Sequence, residues 1–525
     1  MDGPGSTVSA LSDVPASQRY RVLSGMRWTV WLSAVAAPLG ACTNLLLARV
    51  SPETIGVYGL LSVYINLIAS FLFFGSETVV IHFIPKCREE DRVSFLISYL
   101  LVILPALFGC LVIAHFFPET LRIVLSEGGG ERFRFFVVCL APLPIAYWMI
   151  LAALKGMLDI GFSQMLGKLL SLCTLISYAG LYFAASPLLL RYPFEVIWTV
   201  YLLPVVVLGV IGAIRVIRLS NSFRLRFYLP QGFWSYAFGC QQSAVASFMA
   251  YRLDYVLVLN YAGLEVLGRY VAVMAVAGLI SLVNGSFMET LLPSLTNMLA
   301  ARNTSGAAQV FMMHMRILFL VATAMSCGIM VLAVAATSVM GTKYLSVQGL
   351  IILMAMVQGI ANPGICGGTL LVSVGRQRLL IWSSVLHGVL LTGLFFILWP
   401  VLGLIGAVIA YAIALMVSCA SMIGLAMRIA PFFPSIIGLW FRAACVDIAV
   451  AVIALWWMPL GLASAALTWV CAMILFLWLA RYDLAELKEW AQMFAPGFGR
   501  LVMSPVGSVT TRAKPAHRIR LNQAE

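Results

Sequence analysis

The chain is 525 residues long, 62% hydrophobic and only 10% charged, with a mean hydropathy of +1.00. A soluble domain can neither bury nor expose that much apolar surface, so the composition places the chain in a membrane and excludes a soluble enzyme. The formal net charge of +13 comes without a basic cluster interleaved with aromatics, which excludes nucleic acid as a partner.

At the N-terminus, Arg19, Arg21 and Arg27 precede the first apolar run. Ala34-Val-Ala36 has the small-residue pattern of a signal-peptidase site, but the apolar run continues through Leu47 and is long enough to span, so it reads as an uncleaved anchor. Apolar stretches then recur at 28–48, 57–84, 93–117, 135–154, 162–183, 194–214, 233–260, 270–298, 307–340, 347–374, 380–398, 401–426, 435–457 and 461–480. Lengths near 20 residues match a bilayer core of about 30 Å, which predicts an all-α polytopic protein with about 14 transmembrane helices. Breaks or kinks are expected at Gly75, Pro105, Pro142, Pro144, Pro204, Pro293 and the Asn362-Pro363-Gly364 run.

A short element occurs twice. Glu53-Thr-Ile-Gly56-Val-Tyr58 and Glu265-Val-Leu-Gly268-Arg-Tyr270 share three positions at a common offset of 212 residues, and each follows one long apolar helix and opens another. The duplication predicts two related halves with a substrate path between them.

Sidedness follows from the basic residues. With the N-tail, every second loop and the C-tail on one side, 22 of the 33 Lys and Arg fall there and 7 on the other, so both termini are expected in the cytoplasm. After the last span, Leu484, Leu487, Trp490 and Phe494 suit the interface, and the basic tail can touch anionic membrane lipids.

Chemistry-bearing motifs are missing. The 11 cysteines are single, the five histidines show no HExxH or paired spacing, and no phosphate loop occurs. No metal or cofactor is expected, and the loops are too short for a soluble catalytic domain. His314 and His387, inside spans, read as packing residues or as members of a proton relay.

Ionisable residues inside spans are expensive and need a cavity or a partner. They are Glu77, Lys168, Arg252, Asp254, Glu289, Arg316, Arg442 and Asp447. Ser76 and Thr78 flank Glu77, and Gln241-Gln242-Ser243 precede Arg252, so the interior reads as wet. Arg252, Arg316 and Lys168 are candidates for holding phosphate oxygens, and Glu77, Asp254 and Glu289 for carrying a coupling ion, H+ or Na+. Lys168, Arg316 and Arg442 can alternatively snorkel to an interface.

The segment from Leu45 to Tyr58, with Phe83-Ile-Pro85 closing the second span, resembles the start of Wzx-type polysaccharide flippases. Similar likenesses run from Arg252 to Tyr270, at Leu292-Pro293-Ser-Leu295, and at Leu402-Gly403-Leu-Ile-Gly406-Ala-Val-Ile-Ala-Tyr411, covering about residues 26–480. The resemblance implies the multidrug/oligosaccharidyl-lipid/polysaccharide flippase superfamily: two six-helix bundles around a central cavity, working by alternating access. On that pattern residues 1–27 form a cytoplasmic tail, 28–217 the first bundle, 218–232 a linker, 233–430 the second bundle, 431–480 two additional helices and 481–525 a basic tail. Some members, lipid II flippases among them, also have two extra helices.

The resemblance further implies a bacterial inner-membrane flippase that moves undecaprenyl-diphosphate-linked oligosaccharide for lipopolysaccharide or exopolysaccharide assembly, with polysaccharide assembly proteins as partners. The alternatives are a lipid II flippase, a cation-coupled multidrug exporter, a membrane-embedded polysaccharide polymerase or glycosyltransferase, and a non-catalytic scaffold. Arg252 and Arg316 argue against an exporter of cationic drugs. The polymerase would need a large outer loop or an acidic sugar-nucleotide site, and neither is present.

Overall fold

The computed structural model of the protein describes residues 39–117, 140–157, 159–220, 226–281, 304–374, 378–429, 436–456 and 462–480, with a few single positions between them. Its helices are α1 Leu39–Val50, α2 Pro52–Leu72, α3 Ser76–Phe83, α4 Arg92–Phe116, α5 Pro142–Gly156, α6 Ile160–Arg191, α7 Pro193–Leu219, α8 Phe233–Tyr251, α9 Leu253–Ala277, α10 Thr304–Met340, α11 Gln348–Ser373, α12 Arg378–Leu402, α13 Leu404–Ile429, α14 Ile437–Trp456 and α15 Leu462–Ala480. Among the described residues there is no strand. Among the described residues eleven helices are long and apolar enough to cross a membrane, and α1 and α5 are shorter apolar helices.

The predicted 57–84 span differs most from expectation. It starts at Pro52, where the Ser51 hydroxyl accepts the Thr54 N–H at 3.1 Å and caps the helix. It then breaks at Phe73–Gly75, where Phe74 (φ 49°) and Gly75 (φ 64°) are both left-handed. The neighbours hold this strained turn in place. Tyr99 of α4 donates to the Phe73 carbonyl at 2.8 Å, Gln241 of α8 donates to the Phe71 carbonyl at 2.7 Å, and the Phe74 ring packs edge-on against Trp234 and Phe238 of α8. A side chain at Gly75 would place its Cβ 2.6 Å from that of Cys240.

The prolines behave differently from the expected kinks. Pro105 and Pro204 sit inside the continuous α4 and α7, Pro142 opens α5, and the Asn362–Gly364 run lies within α11. Pro293 lies outside the described residues. The predicted 233–260 span is likewise divided, because Arg252 (φ −138°) leaves the helical region between α8 and α9. Inside α9, Gly263 takes φ 77°, ψ −176°, a conformation open to glycine, and kinks the helix just before the second repeated element.

The two repeated elements meet each other. A Cβ on Gly56 would lie 2.7 Å from the Leu264 carbonyl oxygen, and one on Gly268 would overlap the Pro52 carbonyl oxygen. Leu264 and Pro52 are themselves related by the 212-residue offset, so the two contacts exchange under the repeat. Gly59 faces Val271, its own counterpart, which puts that pair at the centre of the crossing. Close backbone approach of α2 and α9 therefore explains why both copies keep glycine.

α14 packs on α10 and α11, and α15 packs on α10. The Asp447 carboxylate is buried and accepts from Ser326 Oγ at 2.5 Å, while the indoles of Trp440 and Trp469 donate to the Ile360 and Ala324 carbonyls at 2.7 and 2.8 Å. A buried acid that holds α14 onto α10 has a structural use, which removes it from the cavity.

The segment just before α8 is tied down. Arg226 forks onto the buried Asp91 carboxylate, with Nε at 2.8 Å and Nη2 at 2.6 Å, and the Tyr228 N–H donates to Ser98 Oγ of α4 at 2.8 Å. Removing the fork leaves a buried carboxylate unpaired. Arg226→Gln is therefore expected to speed chymotryptic cleavage after Phe227 and Tyr228 in solubilised protein; an unchanged cleavage rate would show that the fork does not hold this segment.

Candidate functional site

A cavity of about 1180 Å³ lies between α2–α3 on one side and α8 with the start of α12 on the other. One end is marked by Lys86, Gln231, Gly232 and Arg378, in or next to the loops before α4, α8 and α12. The other end reaches Asn66 and Arg252, towards the α2–α9 glycine crossing.

Two helix breaks shape this cavity. The turn at Phe74–Gly75 brings Gly75, Ser76, Glu77 and Thr78 to its wall, and the break after Tyr251 brings Arg252 to its far end. Arg252 lies over the Tyr255 ring, 5.6 Å from its centroid. Glu77 is half-exposed and paired with Lys155 Nζ of α5 at 2.9 Å. It is the one carboxylate among the described lining residues, against Lys86, Arg252 and Arg378. The Lys86 ammonium donates to His82 Nε2 at 2.6 Å, and the His82 ring stacks on Tyr236 with 4.0 Å between centroids.

The structure therefore brings Glu77 and Arg252 to one cavity. Asp254, two residues beyond Arg252, is not on the cavity wall: it is buried, and its Oδ2 accepts the Tyr270 hydroxyl at 2.6 Å. Tyr270 is the last residue of the second repeated element, so the repeat and this carboxylate are joined. Lys168 lies on α6 and Arg316 on α10, and neither lines the cavity. Glu289 lies outside the described residues. His314 Nδ1–H donates to the Val310 carbonyl at 2.8 Å, as a packed histidine does, and His387 is buried beside the Tyr251 and Tyr411 rings.

Sequence reasoning missed Lys86 and Arg378 as cavity residues, because their position next to loops reads as a topology signal. It also missed Lys155 as the partner of Glu77, since 78 residues separate them. The polar run Gln241–Ser243 was a usable signal, although Gln241 serves the helix break and Gln242 and Ser243 face the cavity.

No protein-family model matches the chain, and no curated protein does. Solved structures do match. An inward-facing multidrug-resistance MATE family transporter of the MOP superfamily matches with a TM-score of 0.60 at 15% identity, over 75% of this chain and 95% of its own. The lipid II flippase MurJ in an inward closed conformation matches with a TM-score of 0.62 at 11% identity, over 90% of this chain and 99% of its own. The chain shares the fold of these two proteins. A MOP-superfamily transporter from Pyrococcus furiosus with a binding pocket of reverse polarity has the same fold, with a TM-score of 0.57 at 14% identity over 82% of this chain and 99% of its own.

Proposed function

We propose that the chain is a flippase that moves an undecaprenyl-diphosphate-linked oligosaccharide from the cytoplasmic to the outer leaflet of a bacterial inner membrane, for surface polysaccharide assembly. One observation carries this reading. The lining cations Lys86, Arg252 and Arg378 face a cavity whose one described carboxylate, Glu77, is already matched by Lys155. Such a site attracts an anionic head group and disfavours a cationic drug.

The two bundles, 28–217 and 233–430, alternate around this cavity. With the basic loops cytoplasmic, the cavity mouth at Lys86, Gln231 and Arg378 faces inward and the Gly56–Gly268 crossing seals the outer side. Arg252 is the seat of the diphosphate. Arg316 and Lys168 are secondary cations on neighbouring helices, and Asp254, bonded to the Tyr270 of the crossing helix, links the seal to a coupling H+ or Na+.

The extent of the match to the MurJ fold favours a second reading, a lipid II flippase, which shares the lipid diphosphate. Loss of the protein separates them. Accumulation of a lipid-linked oligosaccharide in the cytoplasmic leaflet is the expected result; accumulation of lipid II assigns the second reading, and accumulation of neither removes both.

A further inference from the structure

We infer that one wall of the cavity, formed by α8 and by two serines facing it, is a glycan-reading surface distinct from the cationic seat at Arg252. Ser235, Gln242, Ser243 and Ser247 recur at helical spacing along α8, are exposed and line the cavity. Across from them, Ser70 of α2 and Ser76 of α3 line the same cavity although they are only 8% and 7% exposed. None of these six side chains makes a hydrogen bond within the described residues. Their hydroxyls and amide are thus available to a ligand.

The chemistry of the wall selects its ligand. Ser hydroxyls and a Gln amide both donate and accept, as sugar hydroxyls do, and they carry no charge. An apolar drug entering here would strip water from these groups and leave them unpaired, which opposes its binding. Trp148, also on the cavity, adds an aromatic face. The wall is also placed in register with the seat. Gln242 to Ser247 precede Arg252 by one to three turns, roughly 7–15 Å along the helix at about 1.5 Å per residue. A diphosphate held at Arg252 therefore lays its first sugars against Gln242, Ser243 and Ser247, with the rest of the chain pointing to the mouth.

This inference rests on the flippase reading, and the test separates the two. The intact protein in phosphatidylcholine nanodiscs is titrated with bare undecaprenyl diphosphate and with the same lipid carrying N-acetylglucosamine, glucose or galactose. At least one glycosylated lipid is expected to bind about tenfold tighter than the bare lipid, the yield of one or two net hydrogen bonds. The combined Gln242→Ala, Ser243→Ala and Ser247→Ala variant is expected to lose that increment while binding the bare lipid as the wild type does. Ser70→Ala, on the opposite helix, is expected to lose part of it. Unchanged thermal melting and unchanged bare-lipid affinity show that the variants fold. Equal binding of bare and glycosylated lipids by the wild type, or an increment that survives the triple variant, overturns the glycan wall. Arg252→Gln reports separately on the seat: equal weakening of all the lipids supports it, and no weakening removes the diphosphate assignment without touching the sugar increment.

Discussion

Gly268→Ala is expected to lower surface polysaccharide about tenfold or more while the protein still inserts in the membrane. The added methyl overlaps the Pro52 carbonyl oxygen, and that atom belongs to the backbone of the capped first turn of α2, which has no side-chain rotamer to relieve the clash. Overpacking of this kind costs about 1–3 kcal/mol, and each 1.4 kcal/mol is about tenfold in an equilibrium. The observed state, with the crossing closed, is the one that suffers. Gly56→Ala meets the Leu264 carbonyl at 2.7 Å and is expected to act in the same direction. Gly109→Ala on α4, where no atom lies within 4 Å, is the control and is expected to be silent. Labelling of a cysteine placed at Glu265 should rise in Gly268→Ala if α2 and α9 separate. Wild-type export and labelling by a well-inserted Gly268→Ala protein would show that the crossing is neither tight nor part of the transport cycle.

Arg252→Ala is expected to abolish export at near-normal protein level. Arg252 occupies a break with φ −138°, outside the left-handed region, so the substitution adds no left-handed strain. What it removes is a cation at the far end of the cavity, and hydrogen bonds to charged groups are worth about 1.5–3 kcal/mol each, or about tenfold to a hundredfold in affinity. Arg252→Lys keeps the charge but loses the fork and is expected to retain part of the activity. Glu77→Gln removes the ion pair with Lys155 beside the cavity, so it is expected to impair turnover more than substrate binding. Reconstituted vesicles separate these effects through binding and translocation measured on the same preparation. If Arg252→Ala and Glu77→Gln both insert and export normally, the cavity charges only pack the helices.

Several levels of this protein were legible in its residues. Apolar stretches of spanning length announced a helical membrane protein, because backbone groups in hydrocarbon must bond within their own segment. The repeat, three letters at one offset, marked the two segments that meet in the α2–α9 crossing, and Arg252 stood out because an arginine at that depth needs water or an anion. Three-dimensional packing decided the rest. The sequence ranked Pro105 and Pro204 with Gly75 as helix breakers, yet only the Gly75 site breaks, since Tyr99 and Gln241 capture the freed carbonyls there. Glu77, Asp254 and Asp447 look alike as single acids in apolar runs. Packing separates them into a cavity carboxylate paired with Lys155, a buried acceptor of Tyr270, and an anchor for α14 on Ser326. Local sequence sets the cost of burying a charge, but the partner that offsets it comes from a distant helix, and only the fold brings the two together.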